Sequence, residues 1–206
     1  WLNGWPGFYL IGILMWGFPS YINNSGLTEE NEQADRNGTI SLGDVIQFDW
    51  TIYHTRKCKI NRRKDMRWIL RWHQFQKVEM VCFCKQEDSK KLHDEMVAVE
   101  EEIWQGLWIP YQKVNVCSGD LWNPAMKKYD LEAWMPGQQK YREITSCSNV
   151  WEYQSRRLWI RYRDDEWKTG YVHTLNGTVI ALSRCLIAII ENYQTAEGDV
   201  RIPEVL

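Results

Sequence analysis

The fold class is decided by the stretch YREITSCSN, residues 141–149, and by the residues that precede it. Residues 141–146 of this stretch predict a β-strand. The preceding residues 128–135, KYDLEAWM, alternate polar and apolar side chains as a half-buried strand does. Pro136 and Gly137 lie between the two strands and are typical of a tight turn. Strands joined by so short a connection run antiparallel, so an antiparallel sheet is predicted.

Further elements extend outward from this hairpin. Strands are predicted at residues 45–53, 68–83, 111–117 and 158–162, with the second of these antiparallel to the first. Helices are predicted at residues 87–107 and 178–193. The first helix is indicated by apolar residues at spacings of four, three and four, namely Leu92, Met96, Val99 and Ile103. Interleaved helices and hairpins favour an α+β fold in which helices pack on an antiparallel sheet.

Length and composition indicate one large globular domain. The chain has 206 residues and a net charge of −2, so its overall charge does not point to a nucleic-acid partner. Residues 1–44 form an apolar segment and a polar connector, and residues 45–206 form the predicted core domain. The apolar run at residues 8–18 is too short to span a bilayer, so no membrane association is predicted.

The distribution of charged residues and cysteines bears on the possible binding partners and on the cellular compartment of the protein. Eight basic residues lie between positions 56 and 71 against one acid, Asp65. This block fits either a phosphate-binding surface or a solvated basic loop. The six cysteines and four histidines show no zinc-binding spacing. A reduced compartment, cytosolic or an organelle matrix, is therefore expected, and a cytoplasmic location is predicted.

Five ordered stretches resemble the catalytic core of seryl-tRNA synthetases, in the archaeal and eukaryotic cytosolic style. They are RWHQFQKVEM (71–80), GDLWNPAMKKYDLEAWMPGQ (119–138), YREITSCSN (141–149), YQSRRLWIRYR (153–163) and HTLNGTVIALSRCLIAIIENYQ (173–194), followed by PEVL at the end. The resemblance implies a class II aminoacyl-tRNA synthetase fold. It also implies activation of L-serine with ATP and Mg²⁺, transfer of serine to tRNA(Ser), and a homodimer.

The resemblance assigns nucleotide contacts to several residues. Arg56 matches the motif 2 arginine that holds the α-phosphate, and Arg184 matches the motif 3 arginine at the γ-phosphate, so both are candidate catalytic residues. Phe75 matches the aromatic side chain on which adenine stacks. Glu143 and Ser146 match a carboxylate and a hydroxyl that bind ATP and its Mg²⁺. These two residues lie three apart, so the strand must be irregular between them or the two must act from different angles.

The resemblance also assigns serine contacts. Glu79 matches the acid that holds the serine ammonium, and Thr178 and Asn149 match polar residues of the serine pocket. Glu30, in Thr28-Glu29-Glu30, is the nearest candidate for the family's T-x-E motif. Structural alternatives are a core position for Phe75, an exposed strand position for Glu79, a helix cap for Thr178, a loop cation for Arg56 and surface positions for the remaining polar residues.

Several positions depart from the family pattern. The motif 2 glutamate falls on Cys58 and its phenylalanine on Thr55, while residues 7–24 match motif 1 only vaguely. A second hypothesis is therefore a catalytically impaired synthetase-like module that binds nucleotide or RNA, and a third is a misfolding-prone fragment. Tryptophan also stands where the family prefers small or different residues, at positions 68, 108, 122 and 151. Replacing glycine by tryptophan adds volume and removes easy access to positive φ.

Overall fold

The computed structural model describes residues 45–53, 74–163 and 166–206, with the backbone alone at 45–53 and Gln74. Its strands are β1 Val45–Tyr53, β2 Gln74–Cys84, β3 Tyr111–Asn115, β4 Lys127–Met135, β5 Lys140–Asn149, β6 Arg161–Arg163, β7 Thr169–Tyr171 and β8 His173–Ala181. Its helices are α1 Ser89–Gly106, α2 Tyr153–Leu158 and α3 Leu182–Tyr193. No helix in the described segments is long and apolar enough to cross a membrane.

Six strands form one antiparallel sheet in the order β1-β2-β8-β5-β4-β3. The predicted hairpin of residues 128–135 and 141–146 is β4–β5, and β5 continues to Asn149 and pairs with β8 at its far end. Strands β6 and β7 form a separate two-stranded ribbon. The predicted α+β class and the antiparallel sheet are confirmed.

Helices α1 and α3 pack on the same face of the sheet, which is called the helix-covered face below. Core residues come from α1, from α3 and from the strands between them, including Met96, Trp104, Cys185, Leu131 and Leu175. The Tyr193 hydroxyl donates a hydrogen bond of 2.7 Å to the Leu107 carbonyl and so joins the ends of the two helices. Each fully buried large apolar side chain here stabilises the fold by roughly 1.5–3 kcal/mol.

The last helix was predicted at residues 178–193, which begins four residues before the observed helix. Residues 178–181 belong to β8, and α3 begins at Leu182. Strand β8 pairs with β2 on one side and β5 on the other, so its side chains are buried on both faces. Such a central strand is an apolar run without clean alternation, and it merges with the apolar helix that follows.

The predicted strand at residues 158–162 is also wrong in part. Residues 153–158 form the short helix α2, Trp159 adopts a left-handed conformation, and the strand begins at Arg161. The predicted helix at residues 87–107 agrees with α1 to within two residues at each end. For the predicted strand at 68–83, residues 68–73 lie outside the described part, and β2 runs antiparallel to β1 as expected.

Candidate active site

The face opposite α1 and α3 carries most of the predicted site residues and is called the open face below. Strand β2 presents alternate residues Phe75, Lys77 and Glu79 to one side of the sheet. Glu79 lies opposite Thr178 of β8 in the strand register. The neighbouring residue Gly177 faces the other way, because a Cβ added there would lie 2.7 Å from Oε1 of Glu100 in α1. Thr178 therefore faces away from α1, together with Glu79.

Glu79, Thr178 and Lys77 form a compact polar cluster on the open face. The Thr178 hydroxyl donates a 2.6 Å hydrogen bond to Glu79 Oε1. Lys77 forms an ion pair with Glu79, and its Nζ lies 3.5 Å from Thr178 Oγ1. The Glu79 side chain is only 15% exposed, so the carboxylate is held in a partly buried, paired state. Glu79 is thus not a freely exposed strand residue, and Thr178 does not cap a helix.

A β-bulge brings Glu143 and Ser146 to the same face. In the register of β4 with β5, Leu131 pairs with Thr145 and Glu132 pairs with Glu143, so Ile144 has no partner. Ser146 pairs with Asp130, two residues from Glu132 along β4. Because residues two apart on a strand share a face, Glu143 and Ser146 do so as well. Of the two possibilities stated for these residues, an irregular strand or action from different angles, the irregular strand is present in β5.

Arg184 joins α3 to this part of the sheet. It is the third residue of α3, and its Nη1 donates a 2.5 Å hydrogen bond to the Glu143 carbonyl. The same nitrogen lies 3.6 Å from Glu143 Oε2. The Arg184 side chain is one third exposed, so its guanidinium is held by β5 and remains accessible to an anionic ligand. The expectation that an arginine in this apolar run needs a partner is met by Glu143.

Asn149 lies apart from these residues. Its Nδ2 donates a 3.2 Å hydrogen bond to the Ser89 carbonyl at the start of α1, and its Oδ1 accepts one of 3.1 Å from the Trp151 amide. The side chain is buried toward the helix-covered face. The structure therefore does not bring Asn149 together with Glu79 and Thr178, and both ends of its amide support the local fold.

Some predicted site residues lie outside the described residues. They are Arg56, Glu30, Cys58 and Thr55, together with the motif 1 candidate at 7–24. Trp68 also lies outside the described residues. Phe75 is described and half-buried on the open-face side of β2, two residues from Lys77.

Sequence reasoning missed Lys77 and Asp130. Lys77 lies two residues before Glu79 in KVE, and this spacing on a strand was the available signal. Asp130 faces Ser146 and forms a 2.7 Å ion pair with Lys128. Burial raises the pKa of the Asp130 carboxyl, with Lys128 opposing the shift.

The helix-covered face contains a buried carboxyl group that, unlike Glu79, has no ion-pair partner among the described residues. Glu100 is fully buried, and among the described residues neither of its carboxylate oxygens has a hydrogen-bond partner. Burial raises the pKa of Glu100 well above its usual value, and the nearby Thr145 hydroxyl opposes this shift. In the described segments no three His, Cys, Asp or Glu side chains cluster as a ready metal site.

The chain is similar to proteins of one known family. The family model described as the tRNA synthetase class II core domain (G, H, P, S and T) matches residues 51–193. A serine--tRNA ligase of Treponema denticola is 53% identical over 140 residues, which is 67% of this chain and 33% of that protein. A serine--tRNA ligase of Sulfurisphaera tokodaii is 54% identical over 143 residues, 69% of this chain and 32% of that protein. The chain thus spans about a third of the length of these relatives.

Solved structures are also similar to this chain, among them the following two. The crystal structure of seryl-tRNA synthetase from Pyrococcus horikoshii complexed with ATP has a TM-score of 0.75 and 44% identity, and covers 86% of this chain and 41% of that one. The cytoplasmic serine-tRNA ligase from Naegleria fowleri in complex with AMP has a TM-score of 0.69 and 43% identity, and covers 78% of this chain and 38% of that one.

Proposed function

The chain belongs to the family of class II tRNA synthetase core domains, and from this we propose that it is the catalytic part of a seryl-tRNA synthetase. The reaction is activation of L-serine with ATP, followed by transfer of the seryl group to tRNA(Ser). The similar proteins of known name are serine--tRNA ligases, and the two similar structures are seryl-tRNA synthetases in complex with ATP or AMP.

One observation carries the proposal for serine. A primary ammonium group, that of Lys77, contacts both the Glu79 carboxylate and the Thr178 hydroxyl. The same two oxygens are suited to an amino-acid ammonium, because it is also a compact cation with several N–H donors. On binding, the serine ammonium takes the Lys77 position beside Glu79, and Thr178 faces the serine side chain.

The nucleotide lies toward Arg184 in this proposal. Adenylate formation needs cations at the phosphates, because the serine carboxylate attacks the α-phosphorus while negative charge spreads over the phosphate oxygens. Arg184 supplies one fixed cation and Arg56 a second, and Phe75 supplies a stacking face for adenine. The guanidinium fork of each arginine can hold phosphate oxygens in a bidentate manner.

The open face also fits a Mg²⁺ ion carried by ATP. Glu143 is 45% exposed and shares its side of β5 with the Ser146 hydroxyl, so both oxygens face the same space. Mg²⁺ is commonly bound by one or two protein oxygens together with phosphates and water. When bound there, it would neutralise phosphate charge, while Glu143 and Ser146 position the nucleotide.

The remaining partners follow from the proposed activity. The seven basic residues between positions 57 and 71 would contact tRNA phosphates, and the enzyme would act as a homodimer in the cytoplasm. The test of activation is serine-dependent exchange of pyrophosphate into ATP, measured beside alanine and threonine. Exchange with serine alone supports the proposal, and no exchange by a folded sample overturns it.

The second candidate is a synthetase-like module that binds nucleotide without activating serine. It is favoured by Cys58 at the position of the motif 2 glutamate. ATP binding without exchange would support this module. A Cys58→Glu variant that gains exchange would identify the substitution as the cause.

A further inference from the structure

Left-handed backbone conformations in this protein fall mainly on tryptophan. In the described segments five non-glycine residues have positive φ, and four of them are tryptophans: Trp108 at 52°, Trp151 at 52°, Trp159 at 59° and Trp167 at 65°. The fifth is Gln139 at 51°. Bulky side chains rarely adopt positive φ, while glycine adopts it without steric cost. Such a concentration in one residue type calls for one common cause.

Two of the four tryptophans occupy helix C-terminal positions that favour glycine. After α1, the Trp108 amide donates to the Gln105 carbonyl at 2.9 Å and the Ile109 amide donates to the Trp104 carbonyl at 3.4 Å. This pair of hydrogen bonds is the Schellman motif, whose left-handed residue is most often glycine. After α2, Trp159 is left-handed and its amide donates to the Ser155 carbonyl, which is another glycine-type helix end.

The other two lie in turns. The Tyr153 amide donates to the Val150 carbonyl at 3.2 Å, which makes Trp151 the second residue of a tight turn with positive φ. Turns of this kind are dominated by glycine, asparagine and aspartate at that position. Trp167 lies in the connection between β6 and β7, where hairpin loops also favour glycine at left-handed positions.

Core packing does not explain these tryptophans. Trp108, Trp159 and Trp167 are 85%, 70% and 76% exposed, and Trp151 is 44% exposed. At the surface, Arg161 lies over the Trp159 ring and Arg163 over the Trp167 ring, while Trp151 covers the buried His173 from the solvent side. By contrast, Trp104 lies in α1, is fully buried, and is not among the left-handed residues.

We propose that the natural protein carries glycine at positions 108, 151, 159 and 167. The codon at each of these positions, written as tryptophan in the sequence, is one that the source organism decodes as glycine. Independent substitutions of glycine would yield a mixture of residues, among which asparagine and aspartate tolerate positive φ best. A single decoding rule yields one residue type at every such site, as observed. The codon UGA fits this rule, because it is read as tryptophan in some genetic codes and differs from the glycine codon GGA only at its first base.

Two measurements on the natural source test the decoding. The gene should carry UGA at the four positions and UGG at Trp104 and Trp134, which lie in an ordinary helix and strand. Peptide mass spectrometry of the protein from its own organism should show each of the four sites lighter by the mass difference between tryptophan and glycine, which is an indolylmethyl group less one hydrogen. Tryptophan in those peptides, or UGG at the four codons, would overturn the proposal.

A recombinant series tests the backbone argument separately. Each of W108G, W151G, W159G and W167G should raise the thermal midpoint by about 2–4 °C, because relief of left-handed strain exceeds the added chain entropy of glycine. Gln139→Gly, the left-handed residue that is not tryptophan, should behave in the same way. Trp134→Gly, in β4, should lower the midpoint. A fall in midpoint for the four tryptophan variants would contradict a glycine requirement at these turns.

Discussion

The two faces of the central sheet differ in whether their buried carboxyl groups have polar partners. On the open face, Glu79 is paired with Lys77 and accepts a hydrogen bond from Thr178. On the helix-covered face, Glu100 lies against Gly177 with no hydrogen-bond partner among the described residues, and burial raises its pKa. Adjacent residues of one strand, Gly177 and Thr178, face these two environments. The open face therefore carries a paired charged cluster, whereas the helix-covered face holds a buried acid without a hydrogen-bond partner among the described residues.

The largest expected effect concerns stability. Trp104→Ala on the helix-covered face should lower the free energy of unfolding by about 3–5 kcal/mol, because it leaves a large cavity between α1 and the sheet. Chemical denaturation measures this loss. Met96→Leu in the same helix is the matched control and should cost less than about 1.5 kcal/mol. Equal losses for the two variants would contradict close packing on this face.

The next effect concerns activity. Arg184→Ala should lower the rate of serine-dependent pyrophosphate exchange by roughly 10²–10³-fold, because one fixed donor to the phosphate charge is removed. Its charged hydrogen bond to the Glu143 carbonyl contributes about 1.5–3 kcal/mol to stability, so the folded fraction of the variant is measured alongside its exchange rate. Arg142→Ala, on the same strand as Glu143, serves as a control for the general loss of a cation. Wild-type exchange in Arg184→Ala would remove this residue from the site.

The next effect concerns how the free energy of unfolding depends on pH, through Glu100 on the helix-covered face. The pKa of Glu100 is raised in the folded state, so the folded protein holds a proton that the unfolded chain releases above about pH 4.5. The contribution of this group to stability therefore falls as pH rises above that value. Glu100→Gln should flatten this part of the pH dependence and raise stability at neutral pH. Parallel curves for the variant and the wild type would show that Glu100 is ionised when folded.

The smallest effect concerns the serine side chain. Thr178→Val keeps the shape of the side chain but removes the hydroxyl that donates to Glu79. The KM for serine should rise about tenfold, which corresponds to about 1.4 kcal/mol of a hydrogen bond to a charged group. Steady-state exchange kinetics measure it, and Thr174→Val in the same strand is the control. An unchanged KM would place serine elsewhere.

Regular alternation and helical spacing account for what the sequence predicted well. The helix α1 follows from its apolar spacing, and the β4–β5 hairpin follows from alternation and Pro136-Gly137. Strand β8 was assigned to a helix because it is buried on both faces, so no alternation marks where it ends and α3 begins. This error came from tertiary burial, which local pattern does not encode.

For the candidate site, the sequence made predictions about the backbone that the structure can be compared with. The need for Glu143 and Ser146 to act together predicted either an irregular strand or action from different angles, and a bulge lies between them. Asn149 is three residues beyond Ser146 with regular pairing between, so strand alternation alone already placed it on the other face. Lys77 was missed because a lysine beside a glutamate resembles an ordinary surface pair, and only the folded sheet adds Thr178 to the cluster.

The most direct test of the open face as a serine site compares two ligands by calorimetric titration in the presence of a non-hydrolysable ATP analogue. Wild-type protein should bind serine and should bind an analogue without the amino group at least tenfold more weakly, since that analogue has no ammonium for Glu79. Glu79→Gln should lose most of this preference, while Glu101→Gln, which removes an ion-paired carboxylate outside the site, should retain it. Equal affinities for the two ligands in the wild type would contradict the account.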